Sequence, residues 1–238
     1  MNVGLDYILE KCILLDIEGT TTPIDFVHKI LFPFARERVR DYLNQNWASP
    51  ELEADLVKLR DEHEHDVRQG FKPPEIESDR MVAYIYWLID QDRKSTPLKS
   101  LQGKIWEEGY MTGELIAPVY DDVTPALERW GKENKLICIY SSGSIPAQRL
   151  LFSHTTRGDL TKYIFRYFDT TIGSKVETTS YLRIAEELQL PPVEIVFISD
   201  VIAELDAARS AGLRTVLSVR PGNKPLPASV LHPQITTF

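Results

Sequence analysis

Apolar residues in this chain follow two rhythms. Near the start and through the second half they form short runs: Cys12–Leu15, Leu136–Tyr140, Ile195–Ile198 and Thr215–Val219, with a weaker one near Tyr167–Thr171. Runs this short, bounded by turn-forming residues, predict strands buried on both faces. Between them, apolar residues recur at helical spacing. Val123, Leu127 and Trp130 form one such face, and Tyr181, Ile184, Ala185 and Leu188 another. Further helices are expected after Ser144 and over about Ile202–Ala211, the latter stopped by Gly212. Strands alternating with helices predict an α/β fold built on a doubly wound parallel sheet. Arg220-Pro221-Gly222-Asn223 reads as a turn, and the Pro-rich tail from Pro225 as loop.

From Thr22-Pro23 to about Pro118 the strand rhythm disappears. Phe26, Ile30 and Phe34, then Val39, Tyr42 and Leu43, lie on helix-like faces. Ser49-Pro50-Glu51 reads as a helix start: a capping Ser, Pro at the first position and an acid in the first turn. Leu52, Leu56, Leu59, His63 and Val67 continue that helix, with Gly70 as its stop. Ser78 or Asp79 is expected to open another, through Val82, Ile85, Tyr86 and Ile89. A last one runs from about Leu98 through Leu101, Ile105 and Trp106. Residues 1–21 and 119–238 then make an α/β core, and residues 22–118 an inserted all-helical cap domain. The insert leaves the sheet where the first strand ends, which suggests a lid over a site there. Its aromatic residues Phe26, Phe32, Phe34, Trp87 and Trp106 read as cap core.

The strand ends carry the chemistry. The first run stops at Asp16-Ile17-Glu18-Gly19, the second at Ser141-Ser142-Gly143, and a later one at Ser199-Asp200. In open α/β sheets ligands bind beyond these ends. Asp16 is a candidate nucleophile toward phosphorus, forming an aspartyl-phosphate that water then cleaves. An anion attacking an anion needs nearby cations. Mg²⁺ suits carboxylates and phosphate oxygens, and Asp200 is the natural second carboxylate, since neighbouring strands lie about 5 Å apart. Lys175 would offset phosphate charge, and Ser141, Ser142 and Gly143 would donate hydrogen bonds to phosphate oxygens at a helix start. Glu18 is either a metal ligand or the acid/base that protonates the leaving oxygen. Taken singly, each has a plainer reading: Asp200 as a helix cap, Lys175 as a solvated side chain, Ser-Ser-Gly as a cap. Their common placement at one sheet edge favours a site. His63-Glu64-His65-Asp66 lacks the i, i+4 spacing that puts two metal-binding His on one helix face, and reads as solvated helix.

Composition narrows the classes. A 238-residue chain with 43% hydrophobic residues can bury a core. Its net charge of −8, without a Lys/Arg stripe, argues against a nucleic-acid partner. The excess acid falls in stretches such as Glu51–Glu64, expected to be solvated helix. No apolar run approaches the ~20 residues of a membrane span, so no membrane partner is expected, and the N-terminus lacks a secretory pattern. Cys12 and Cys138, the two cysteines, fall in predicted buried strands as small hydrophobes rather than a disulfide. No long apolar stripe is left over, so a cytoplasmic monomer is expected.

The order Asp16-Ile17-Glu18-Gly19-Thr20, Ser141-Ser142, Lys175, Asp200 resembles the four motifs of the haloacid-dehalogenase-like phosphatases, and the helical insert resembles that superfamily's cap. Most of those phosphatases carry Asp where this chain has Glu18. Asp16 to Ile24, Tyr140 to Ser144, Phe168 to Thr170, Gly173 to Glu177, Ser199 to Val201 and Arg220 to Asn223 together resemble the acireductone synthases, the enolase-phosphatases of methionine salvage. That resemblance implies a two-step reaction on a small phosphorylated diketone, 2,3-diketo-5-methylthiopentyl-1-phosphate: enolisation, then loss of phosphate to give acireductone. It implies one Mg²⁺ per chain held by Asp16, Glu18 and Asp200, and substrate contacts from Ser141, Ser142 and Lys175. The chain departs from the family after Asp200-Val201, where Ile202-Ala203 precede Glu204, and the role of Glu204 is left open. A phosphatase acting on another small ester is the nearest rival. A hydrolytic dehalogenase would carry Tyr at the Glu18 position, and a non-catalytic phosphate binder would lack Asp16 or Asp200.

Overall fold

In a computed structural model, which describes residues 9–76, 81–91, 93–227 and 229–238, the first apolar run is strand β1, Cys12–Leu15, with every side chain buried. A short helix α1 (Ile24–Phe26) follows and widens into a π-helical turn at Val27–Leu31. Four helices come next: α2 (Phe32–Gln45), α3 (Pro50–Arg68), α4 (Val82–Asp90) and α5 (Thr96–Met111). Then the α/β alternation resumes with α6 (Val123–Lys132), β2 (Leu136–Tyr140), α7 (Ile145–Ser153), β3 (Arg166–Phe168), α8 (Thr178–Leu188), β4 (Ile195–Ser199), α9 (Ile202–Ser210), β5 (Arg214–Ser218) and β6 (Gln234–Ile235). The described residues divide into two compact units, one running to Val27 and resuming at Ile116–Phe238, the other His28–Leu115.

In the first unit six strands form one sheet in the order β3-β2-β1-β4-β5-β6, every pairing parallel. β1 lies between β2 and β4, with Leu14 level with Cys138 on one side and Phe197 on the other. Cys12, Leu14, Cys138, Tyr140 and Phe197 project into a core shared with Tyr181, Ile184 and Leu188 of α8 and Leu205 and Ala208 of α9. The alternate residues Ile13, Leu15, Ile137, Ile139 and Ile198 are equally buried. Both faces are therefore covered, which is why these strands read as continuous apolar runs. The two cysteines are free, with sulfurs 3.8 Å apart across β1 and β2.

In the second unit Ser49 and Ser95 cap α3 and α5, accepting from the N–H groups of Leu52 and Leu98 through their hydroxyls. The inward face of α3 continues Leu52, Leu56, Leu59 to Asp66, while Val67 is exposed. Asp66 is fully buried because it accepts from the Tyr84 hydroxyl at 2.9 Å and pairs with Arg93 at 2.5 Å. Asp55, inside the acidic stretch expected to be solvated, is also buried, paired with Lys104 at 2.7 Å. Of the expected cap aromatics Phe34 is buried and Phe32, Trp87 and Trp106 are half-buried, whereas Phe26 belongs to the sheet unit. Ile30 is exposed. The expected helix start at Ser78 or Asp79 lies outside the described residues; the described helix α4 begins at Val82.

Two expectations in the sheet unit need correction. β3 ends at Phe168 instead of Thr171, because the Asp169 carboxylate accepts from both the N–H and the hydroxyl of Thr171 and turns the chain. The Pro-rich tail is not all loop. Gln234 and Ile235 add strand β6 beside Leu217 and Ser218, with Ile235 buried and Phe238 packed 5.4 Å from Trp130.

Candidate active site

β1 and β4 are adjacent, so their C-terminal ends bring Asp16, Ser199 and Asp200 together. Asp16 is buried, and its two oxygens are held differently. Oδ1 accepts from the Ile17 N–H at 2.8 Å and from Lys175 Nζ at 2.6 Å. Oδ2 faces the Ser199 hydroxyl at 3.2 Å, but that hydroxyl lies closer, at 2.9 Å, to Glu204 Oε2. A hydroxyl has one proton to give, and the shorter contact directs it toward Glu204. Oδ2 is thus the less engaged oxygen of Asp16.

Lys175 is 8% exposed, far from the solvated side chain its sequence context allowed. It arrives from the loop after β3, which is fixed by its main chain: the Tyr181 hydroxyl donates to the Lys175 carbonyl at 2.6 Å and Tyr140 to the Gly173 carbonyl at 2.9 Å. Its ammonium bridges Asp16 and Glu204, at 2.6 and 2.8 Å. Burial opposes the charge on Lys175, but the two carboxylates outweigh it and hold its pKa above the usual lysine range.

Glu204 is the residue the sequence left open. In the first turn of α9, it points back to the same strand edge through Ser199 and Lys175. Burial, and then the neighbouring Asp16 charge, push its carboxyl upward. Asp200 is raised by the same causes in the same order, to about 7. It does not cap α9, whose start has no side-chain cap bond.

Ser141 and Ser142 stand at the end of β2, one strand from Asp16 on the other side. Ser141 is buried, its N–H bonded to the Phe168 carbonyl and its hydroxyl accepting from the Gly143 N–H, while Ser142 is exposed. Ser144 caps α7 through the Ala147 N–H at 3.4 Å. Gln148, which the sequence did not single out, and Asp169, within the Phe168 to Thr170 match, support this loop. Gln148 donates to the carbonyls of Gly143 and Phe168, and Asp169 accepts from the Ile145 N–H. Glu18 is half-buried in the turn after Asp16, in a bridge with Thr22.

Among the described residues no three carboxylate, histidine or cysteine side chains are gathered as a ready metal site. The donor set nonetheless fits a hard divalent cation. Asp16 and Asp200 directly follow the adjacent strands β1 and β4, and Glu18 lies in the turn whose Gly19 the Asp200 carboxylate packs against; oxygen ligands of this kind suit Mg²⁺.

Residues 10–212 match the family profile of the haloacid dehalogenase-like hydrolases. The chain is 52% identical over 213 residues to enolase-phosphatase E1 of Synechococcus elongatus, covering 89% of each protein. It is 46% identical to a Sorghum bicolor protein named as a probable bifunctional methylthioribulose-1-phosphate dehydratase/enolase-phosphatase E1, matching 91% of this chain but 44% of that longer protein. Among solved structures it is similar to the UTR4 protein of Saccharomyces cerevisiae, with a TM-score of 0.81, 35% identity, and coverage of 96% of this chain and 98% of that one.

Proposed function

Because this chain belongs to the haloacid dehalogenase-like hydrolases, and within them to the enolase-phosphatase E1 proteins, we propose that it is an acireductone synthase. It would convert 2,3-diketo-5-methylthiopentyl-1-phosphate to acireductone and phosphate in methionine salvage, by enolisation followed by phosphate release. The observation that carries the phosphatase half is Asp16, fixed at the end of a central strand with Oδ1 tied to Ile17 and Lys175 and Oδ2 less engaged. In this reading Oδ2 attacks phosphorus, the ester P–O bond breaks, and the phosphoryl group passes to Asp16 before water removes it. Lys175, Ser141 and Ser142 bind the phosphate oxygens. Glu18 protonates the leaving oxygen or, alternatively, ligates the metal through its side chain or main chain.

Asp16 and Asp200, with Glu18, would hold Mg²⁺. When bound, the ion would supply positive charge to phosphate and carbonyl oxygens. The proton lost in enolisation needs a base; Glu18 and residues of the helical unit are the candidates. We assign the cap role, and with it substrate selection, to the inserted helical block of residues 22–118.

The test is a comparison of kcat/KM for the diketo phosphate with that for a panel of small phosphate esters, in Mg²⁺. A preference of about a hundredfold or more for the diketo phosphate, about 2.7 kcal/mol, is expected. Equal efficiency on a simple ester would make this a phosphatase of another substrate.

A further inference from the structure

Arg220-Pro221-Gly222-Asn223 forms a turn, with the Asn223 N–H on the Arg220 carbonyl, but its last side chain reaches back to the loop after β1. Asn223 Nδ2 donates to the Gly19 carbonyl at 3.0 Å and to the Ser218 carbonyl at 3.2 Å. Both partners are acceptors, so the amide is oriented with its NH₂ group toward them. The Ser218 hydroxyl adds a second bond to the Gly19 carbonyl, at 3.2 Å.

Gly19 cannot be replaced without moving this arrangement. Its φ is +65°, and a Cβ there would come within 2.5 Å of Asp200 Oδ2 and 2.8 Å of Asn223 Oδ1. The Asp200 carboxylate and the Asn223 amide therefore lie against the same bare face of Gly19. The other side of Gly19 is fixed too, since its N–H donates to the Thr22 carbonyl at 2.8 Å. In a trans peptide the C=O points opposite to the N–H, so this bond sets the direction of the Glu18 carbonyl. The turn itself is anchored. Arg220 pairs with Asp122 at 2.8 Å, donates to the Thr236 carbonyl, and lies over the rings of Tyr120 and Phe238.

We propose that Asn223 is a positioning residue for the cation site: by holding Gly19 against Asp200 it fixes the turn that carries Glu18. This rests on the reading that these acids take Mg²⁺. The inference predicts that loss of the clamp weakens the metal more than the fold.

Calorimetric titration of Mg²⁺ into metal-free wild type, Asn223→Ala and Ser218→Ala tests it, with thermal melts in EDTA as the measure of fold. Asn223→Ala should bind Mg²⁺ about tenfold or more weakly, keep its EDTA melting temperature, and recover kcat at saturating Mg²⁺. Ser218→Ala, which keeps the amide, should lose about twofold to threefold in affinity, and it decides the matter if Asn223→Ala does not fold. Wild-type Mg²⁺ affinity in folded Asn223→Ala, or in Ser218→Ala where that variant decides, overturns the inference while leaving the proposed function intact. Failure of the wild type to bind Mg²⁺ overturns the metal reading itself.

Discussion

Lys175 Nζ lies 2.6 Å from Asp16 Oδ1, across 159 residues of sequence, and the same ammonium touches Glu204 at 2.8 Å. One buried cation thus offsets the buried Asp16 and the half-buried Glu204. Removing it leaves both anions facing each other in a low-dielectric site, and breaking a buried pair in this way costs about 3–5 kcal/mol. Lys175→Met should lower the unfolding free energy in EDTA by that order, measured by urea denaturation. Because Mg²⁺ is attracted by the unpaired acids, it should restore part of the loss, while phosphate release should fall by at least about a thousandfold, or about 4 kcal/mol. An unchanged urea midpoint would mean that Lys175 does not balance these charges.

Burial, then the charges of Asp16 and Glu204, push the Asp200 carboxyl up to about 7. Below that pH the metal-free protein holds a proton there which Mg²⁺ must displace. Affinity is therefore full above about pH 8 and falls as pH drops through 7. Calorimetry in buffers of different ionisation heat should show one proton released on Mg²⁺ binding at pH 6, and about a tenfold weaker affinity there than at pH 8. Asp200→Ala should abolish this dependence together with most of the binding. A pH-independent affinity would show that Asp200 is already ionised at pH 6 and that burial does not hold a proton there.

In the helical unit, Asp66 is fully buried between the Tyr84 hydroxyl and Arg93. Asp66→Ala leaves a guanidinium and a phenol without their acceptor, at a cost of about 3 kcal/mol. Trp87, whose ring stacks on Tyr84, should report the earlier unfolding by fluorescence. A change below 1 kcal/mol, the range of an exposed pair, would show that the pair contributes little.

Much of the fold was legible because it depends on local pattern. β2 was read to its last residue, and the starts at Ser49 and Ser144 are capped as their residue types require. Val67 was misplaced by one residue because a polar Asp66, invisible to an apolar pattern, takes the inward position by finding partners on α4 and beyond. The two residues of β6 carry no periodicity, and its pairing with β5 is set by the tertiary burial of Ile235. The same division holds at the candidate site. Asp16, Lys175 and Asp200 could be suspected from their places after strands. Asn223 falls within the Arg220 to Asn223 resemblance and reads there only as part of a turn, because its partner Gly19 is 204 residues away and no local pattern joins the two.

In the proposed reaction the phosphoryl group is transferred to Asp16. An amide is a far poorer nucleophile than a carboxylate, whereas removing a proton from the diketone needs no bond to Asp16. Stopped-flow absorbance and phosphate detection on Asp16→Asn, with the diketo phosphate and saturating Mg²⁺, separate the two steps. The conjugated enol phosphate should accumulate while free phosphate lags by several orders of magnitude, on the scale of about 1.4 kcal/mol per tenfold. Phosphate release near the wild-type rate would contradict the claim and remove Asp16 as the nucleophile.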